Sequence, residues 1–155
     1  MTVKYNTAPK GTSDEHYTPK EIFEALKIVF DMDVAAPIGG SSWVPAKSFI
    51  DKEMNGLKVE WIGNVWMNSP YSNPKDWVEK FLDHRQGIAL LPITRGKWWD
   101  RIWNESEAIL PTKYNLSFIR PDGMKAKPIV FRTALYGIGE SNVTALKMSG
   151  LGRIR

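Results

Sequence analysis

Residues 62–92 constrain the fold more than any other stretch of this chain. Two apolar runs, 62–67 and 88–91, flank a segment in which Trp77, Val78, Phe81 and Leu82 recur at helical spacing. Pro74 suits the first turn of that helix, and Gly87 breaks it before the second run. Strand, helix, strand in that order makes a parallel pair joined by a crossover. Continuous apolar runs mean that both faces of the strands are covered. The chain is therefore expected to form an α/β sandwich around a mainly parallel sheet.

The neighbouring segments extend the pattern. Tyr17-Thr18-Pro19 opens a helix, with Thr18 as its N-cap, Pro19 at the first helical position and Glu21 in the first turn. Ile22, Phe23, Leu26 and Val29 or Phe30 follow on one face. Residues 32–36 read as a strand running into Pro37 and Gly39-Gly40, and residues 47–50 as another, ending at Asp51. Asn55-Gly56 is a turn signal. Residues 97–103 read as helical, with Trp99 and Trp103 inward, and 107–110 as strand-like. Residues 116–119 and 129–135 flank Pro121-Asp122-Gly123, which predicts a C-terminal antiparallel hairpin. The expected organisation is a loose polar segment over 1–13, one domain over 14–140 and a helix fragment or basic tail over 141–155.

Composition narrows the chemistry. The 155 residues are 43% hydrophobic, enough for a core. Cysteine is absent and only His16 and His84 carry imidazole, which excludes disulfide scaffolds and thiolate zinc sites and disfavours a histidine metal centre. No metal is expected. The first ten residues lack a signal-peptide apolar region and no run could span a membrane, so a cytoplasmic protein with no membrane partner is expected. A net charge of +4 favours polyanions as partners. Arg95, Lys97 and Trp98 in one loop, and Lys125 and Lys127 in another, suit phosphates and stacked bases.

Asn68-Ser69-Pro70-Tyr71 follows the first apolar run and so falls at the carboxyl end of its strand, where open α/β sheets bind ligands. The Asn carbonyl and a backbone carbonyl can accept the two hydrogens of an exocyclic amine, and the Tyr ring can stack on a flat base. Alone, such a string is an ordinary turn. Two further stations precede it: Asp14-Glu15-His16-Tyr17-Thr18-Pro19 and Asp33-Val34-Ala35-Ala36-Pro37.

In this order the three stations resemble the phage-type DNA N6-adenine methyltransferases, the Dam-like family. Asn55-Gly56-Leu57 with Trp61, Trp77-Val78-Glu79-Lys80, Leu90-Leu91-Pro92 and Pro128-Ile129-Val130-Phe131 extend the resemblance over roughly residues 14–135. It implies a Rossmann-like methyltransferase that uses S-adenosylmethionine to methylate adenine N6 in double-stranded DNA, with a phage or prophage role in evading restriction. It also implies site residues. Asn68, Ser69, Pro70 and Tyr71 would hold the base; Tyr17, Thr18, Pro19, Asp33, Ala35 and Asp51 would hold the cofactor. Ser69 stands where the family has proline, and no Gly-x-Gly follows Asp33. Those departures keep open a catalytically inactive nucleic-acid- or cofactor-binding module. Cytosine N4 or an RNA adenine would suit the same amine chemistry.

Overall fold

The computed structural model describes residues 17–41, 43–113, 116–120, 122–125 and 132–155. Six strands form one sheet: β1 (Phe30–Ala36), β2 (Ala46–Asp51), β3 (Val65–Met67), β4 (Gly87–Pro92), β5 (Ala108–Pro111) and β6 (Thr133–Ile138). Their spatial order is β2-β1-β3-β4-β6-β5. β1 pairs in parallel with β2 and β3, and β3 with β4; β6 runs antiparallel to both β4 and β5. The helices are α1 (Lys20–Leu26), α2 (Pro74–His84), α3 (Lys97–Glu105) and α4 (Glu140–Met148).

Period-two alternation divides the core between the two faces of the sheet. Val65, Met67, Ala89 and Leu91 pack with Trp77, Val78, Phe81 and Leu82 of α2 and Ile102 of α3. Trp66, Ile88 and Leu90 pack on the other face with Ile22, Phe23 and Leu26 of α1 and Leu146 of α4. The mainly parallel α/β sheet expected from residues 62–92 is therefore present, with helices on both faces. Among the described residues, no helix is long and apolar enough to cross a membrane.

Several local expectations need correction. Pro19, with extended backbone, is the N-cap of α1, and Thr18 makes no cap; its side chain is used elsewhere. The helix stops at Leu26 because Lys27 turns left-handed, so Val29 is exposed and Phe30 begins β1. Similarly, Arg85 rather than Gly87 terminates α2, and Gly87 opens β4. The central strand is three residues long rather than six, because Gly63 has φ of +75° and Ile62 faces solvent. Arg120 N–H donates to the Met124 carbonyl and Gly123 N–H to the Arg120 carbonyl, but the flanking described residues make single bridges only, Ile119 to Lys125 and Ile119 to Tyr17. Residues 129–131 lie outside the described residues. β6 finds its antiparallel partners in β4 and β5 instead.

The start of β3 is pinned by Asp31. The Asn64 amide donates to the Asp31 carboxylate at 2.7 Å, and the Asp31 amide donates to the Asn64 carbonyl at 2.7 Å. A Cβ on Gly63 would lie 2.3 Å from that carboxylate, so glycine is required there for space as well as for φ. The Asn64 side chain joins the same strand start to α4. Asn64 and Asn142 exchange two amide hydrogen bonds, at 3.0 and 2.7 Å, and Asn142 also donates to the Ile138 carbonyl.

This buried pair predicts strong coupling. Asn142→Ala strands the Asn64 amide and is expected to lower unfolding free energy by about 1–3 kcal/mol. Asn64→Ala in that background should add much less than it does alone, and urea unfolding of the four proteins measures the difference.

Candidate active site

Strand order reverses between β1 and β3: the chain runs from β1 outward to β2, then returns to the other side of β1. Loops leaving the carboxyl ends of β1 and β3 therefore diverge and open a crevice. A cavity of about 460 Å³ lies there, lined by residues from three loops and by Tyr17 and Thr18.

Asn68 is the first residue after β3. Two residues beyond Trp66, it shares that residue's face of the sheet, the side covered by α1. There its Nδ2 donates to Thr18 Oγ1 at 3.0 Å. Thr18 is buried, and its carbonyl accepts from Trp43 Nε1 at 2.8 Å. An amide oriented through its nitrogen presents a carbonyl oxygen at its other end.

The structure brings together Tyr17, Thr18, Asp33, Ala35, Asp51, Asn68 and Pro70, all of which line the cavity. Pro19 lies behind that wall as the N-cap of α1. Ser69 and Tyr71 do not line the cavity. Ser69 is 3% exposed and its hydroxyl has no hydrogen-bond partner among the described residues. The Tyr71 ring packs edge-on to Phe118 at 6.3 Å, its hydroxyl 3.5 Å from the Leu90 carbonyl. Burial drives that hydroxyl's pKa above its ordinary value.

Arg95 and Lys97 are exposed just beyond the carboxyl end of β4, the neighbour of β3. Trp98 is half-buried against the core. Lys125 is exposed beside its bridge to Ile119, and Lys127 lies outside the described residues.

The two acids differ. Asp51 accepts from Gly39 N–H on one oxygen and from Glu53 and Met54 N–H on the other. These donors, Gly39 first, hold its pKa below the ordinary range, and they tie the loop after β1 to the loop after β2. Asp33 is 4% exposed and, among the described residues, accepts only a 3.3 Å bond from Ala35 N–H. Burial pushes its pKa up to about 7.

Asn55, Gly56 and Trp77 line the cavity and Lys80 holds the loop behind it, and none of the four was assigned a site role from sequence. Gly56 sits against β1 and α2 so closely that a Cβ would lie 2.2 Å from the Val34 carbonyl and 2.8 Å from the Trp77 ring. Lys80 Nζ donates to the carbonyls of Gly56, Leu57 and Val59 at 3.0, 3.2 and 2.6 Å and lies 5.0 Å from the Trp61 ring centroid. Trp61 donates to the Gly56 carbonyl and stacks on Trp77. One ammonium thus holds the loop that walls the cavity. The motifs Asn55-Gly56-Leu57 and Trp77-Val78-Glu79-Lys80 were visible in sequence, but nothing local indicates that they meet.

Asp33 gives a pH prediction. Near pH 3.8 and below, the carboxyl is protonated folded and unfolded alike and contributes no pH dependence. Between there and about 7 the unfolded chain has lost the proton that the folded chain keeps, so stability falls as pH rises. Above that window the penalty is complete. Asp33→Asn should therefore gain in stability relative to wild type as pH rises from about 5 to about 8, measured as the difference in Tm.

The family described as DNA N-6-adenine-methyltransferase (Dam) matches residues 5–140. A DNA N-6-adenine-methyltransferase of Haemophilus phage HP1 is 32% identical over 131 residues, covering 77% of this chain and 73% of the relative. No solved structure matches the chain. With all six described strands inside the matched residues, this chain belongs to the DNA N-6-adenine-methyltransferase (Dam) family.

Proposed function

We propose that this protein transfers the methyl group of S-adenosylmethionine to the N6 amine of adenine in double-stranded DNA. The observation that carries the reading is Asn68, oriented by Thr18 at the mouth of the β1/β3 crevice. The sheet order, the single antiparallel strand and the helices on both faces support a Rossmann-like methyltransferase fold. In a phage or prophage such methylation would mark DNA against restriction, and the similar protein is encoded by a phage.

The cavity fits such a donor. Its volume of about 460 Å³ is that of a pocket for a cofactor-sized molecule. Asp33 is a buried acid with little internal compensation, and a cationic ligand beside it would favour its ionised form. Asp51 ends β2, the position from which an acid reaches ribose hydroxyls. Trp77 and Gly56 supply a flat wall. S-Adenosylmethionine, when bound, contributes an electrophilic methyl group on a sulfonium.

The protein's part is positioning and electrostatics. Adenine N6 is a poor nucleophile because its lone pair is delocalised into the ring. The Asn68 carbonyl and a backbone carbonyl at Ser69 or Pro70 would accept its two hydrogens and draw the nitrogen toward tetrahedral geometry. As the new bond forms, positive charge grows on that nitrogen, and the same two carbonyls stabilise it. A base within a duplex is out of reach, so it must be extruded first.

The direct test is labelled methyl transfer to unmethylated DNA, with nucleoside analysis of the product. N6-Methyladenine is expected; N4-methylcytosine, transfer to RNA alone, or no transfer would refute the reading. Asn68→Ala should lower turnover by about 10²–10³-fold while calorimetric binding of the donor changes little. Lys80→Met should act differently. It frees the cavity wall, so KM for the donor should rise about 10-fold with kcat within about two-fold of wild type.

A further inference from the structure

A second concavity, about 550 Å³, is lined by Pro19, the residue after Thr18, and by Trp43, whose Nε1 donates to the Thr18 carbonyl. Its walls carry Lys20 at the start of α1, Lys113 after β5, Lys125 two residues after Gly123, and Trp43. Lys20 Nζ lies 5.7 Å from the Trp43 ring centroid. Lys113 pairs with Glu21 at 3.2 Å, but both side chains are more than half exposed, so the pair is readily exchanged for another anion. Three lysines face one carboxylate.

The groove is joined to the Asn68 site by short, specific links. Thr18 gives its hydroxyl to Asn68 and its carbonyl to Trp43. Tyr17, which lines the first cavity, is bridged through Ile119 to Lys125, in the wall of the second. An adenosine extruded toward Asn68 stays attached through its flanking phosphates, so its strand must run along a surface next to that site.

We propose that this groove holds the phosphate backbone of the target strand beside the extruded adenosine, with Lys20, Lys113 and Lys125 on phosphates and Trp43 as an aromatic wall. The proposal rests on reading the Asn68 crevice as the adenine site. It adds Lys20, Lys113 and Trp43 to the DNA-contacting surface and gives Lys125 a defined place within it.

The test is the salt dependence of binding to a mixed-sequence duplex of about 20 base pairs, followed by anisotropy, with no methyl transfer required. Each phosphate contact contributes about 0.9 to the slope of log K against log salt. Lys20→Gln, Lys113→Gln and Lys125→Gln together should reduce the slope by about 2–3 and weaken binding at least about 10-fold at low salt. Donor binding and the thermal melt should be unchanged. A control triple of exposed cations elsewhere, Lys27→Gln, Lys147→Gln and Arg153→Gln, should lower the slope by less than half as much. Equal losses in the two triples would mean diffuse attraction and overturn the groove, as would an unchanged slope in the first. Absence of methyl transfer by the wild-type protein would overturn the adenine-site reading in a separate measurement.

Discussion

The hydrogen bonds between Asp31 and residue 64 decide where β3 begins, and β3 is so short that they also decide where it ends. Side chains alternate faces along a strand, so the register of three residues determines whether Met67 or its neighbours Trp66 and Asn68 face α1. In the observed register Asn68 projects to Thr18 and Ser69 is buried. A one-residue slip would exchange them, placing a hydroxyl where the amide stands. Gly63 makes the register possible, because no side chain fits beside the Asp31 carboxylate.

The crevice itself is held by backbone groups rather than by a second layer of side-chain pairs. Asp51 gathers N–H groups from two loops, and Lys80 gathers carbonyls from a third. Each charge thereby satisfies several loop groups that could not pair in a sheet. Asp33 stands apart, buried and scarcely compensated. A buried acid with a perturbed pKa inside a cleft is a candidate functional group, and the proposed cationic donor would compensate it.

The sequence was legible where a signal is local and periodic. The buried face of α2, the strand ends at Ala36 and Asp51, and the Asn68 turn could all be read from spacing and punctuation. It misled where two local explanations compete. Thr18 has every feature of a cap, yet Pro19 takes that position and frees the hydroxyl for Asn68, fifty residues away. The apolar run 62–67 looked like one strand because composition alone does not reveal the left-handed Gly63. Pairing of β6 between β4 and β5, rather than with residues 116–119, depends on long-range register that no turn signal encodes.

What the sequence determined by itself is the alternation of strands and helices, and the residue types at each strand's carboxyl end, because hydrophobic period and turn chemistry act over a few residues. What only the tertiary structure decided is which of those residues meet. Asn64 and Asn142 are 78 positions apart, Trp43 and Thr18 are 25 apart, and Lys80 lies more than 20 from the carbonyls it holds. Such contacts follow from strand order and helix packing, which set distances between side chains that share no local code.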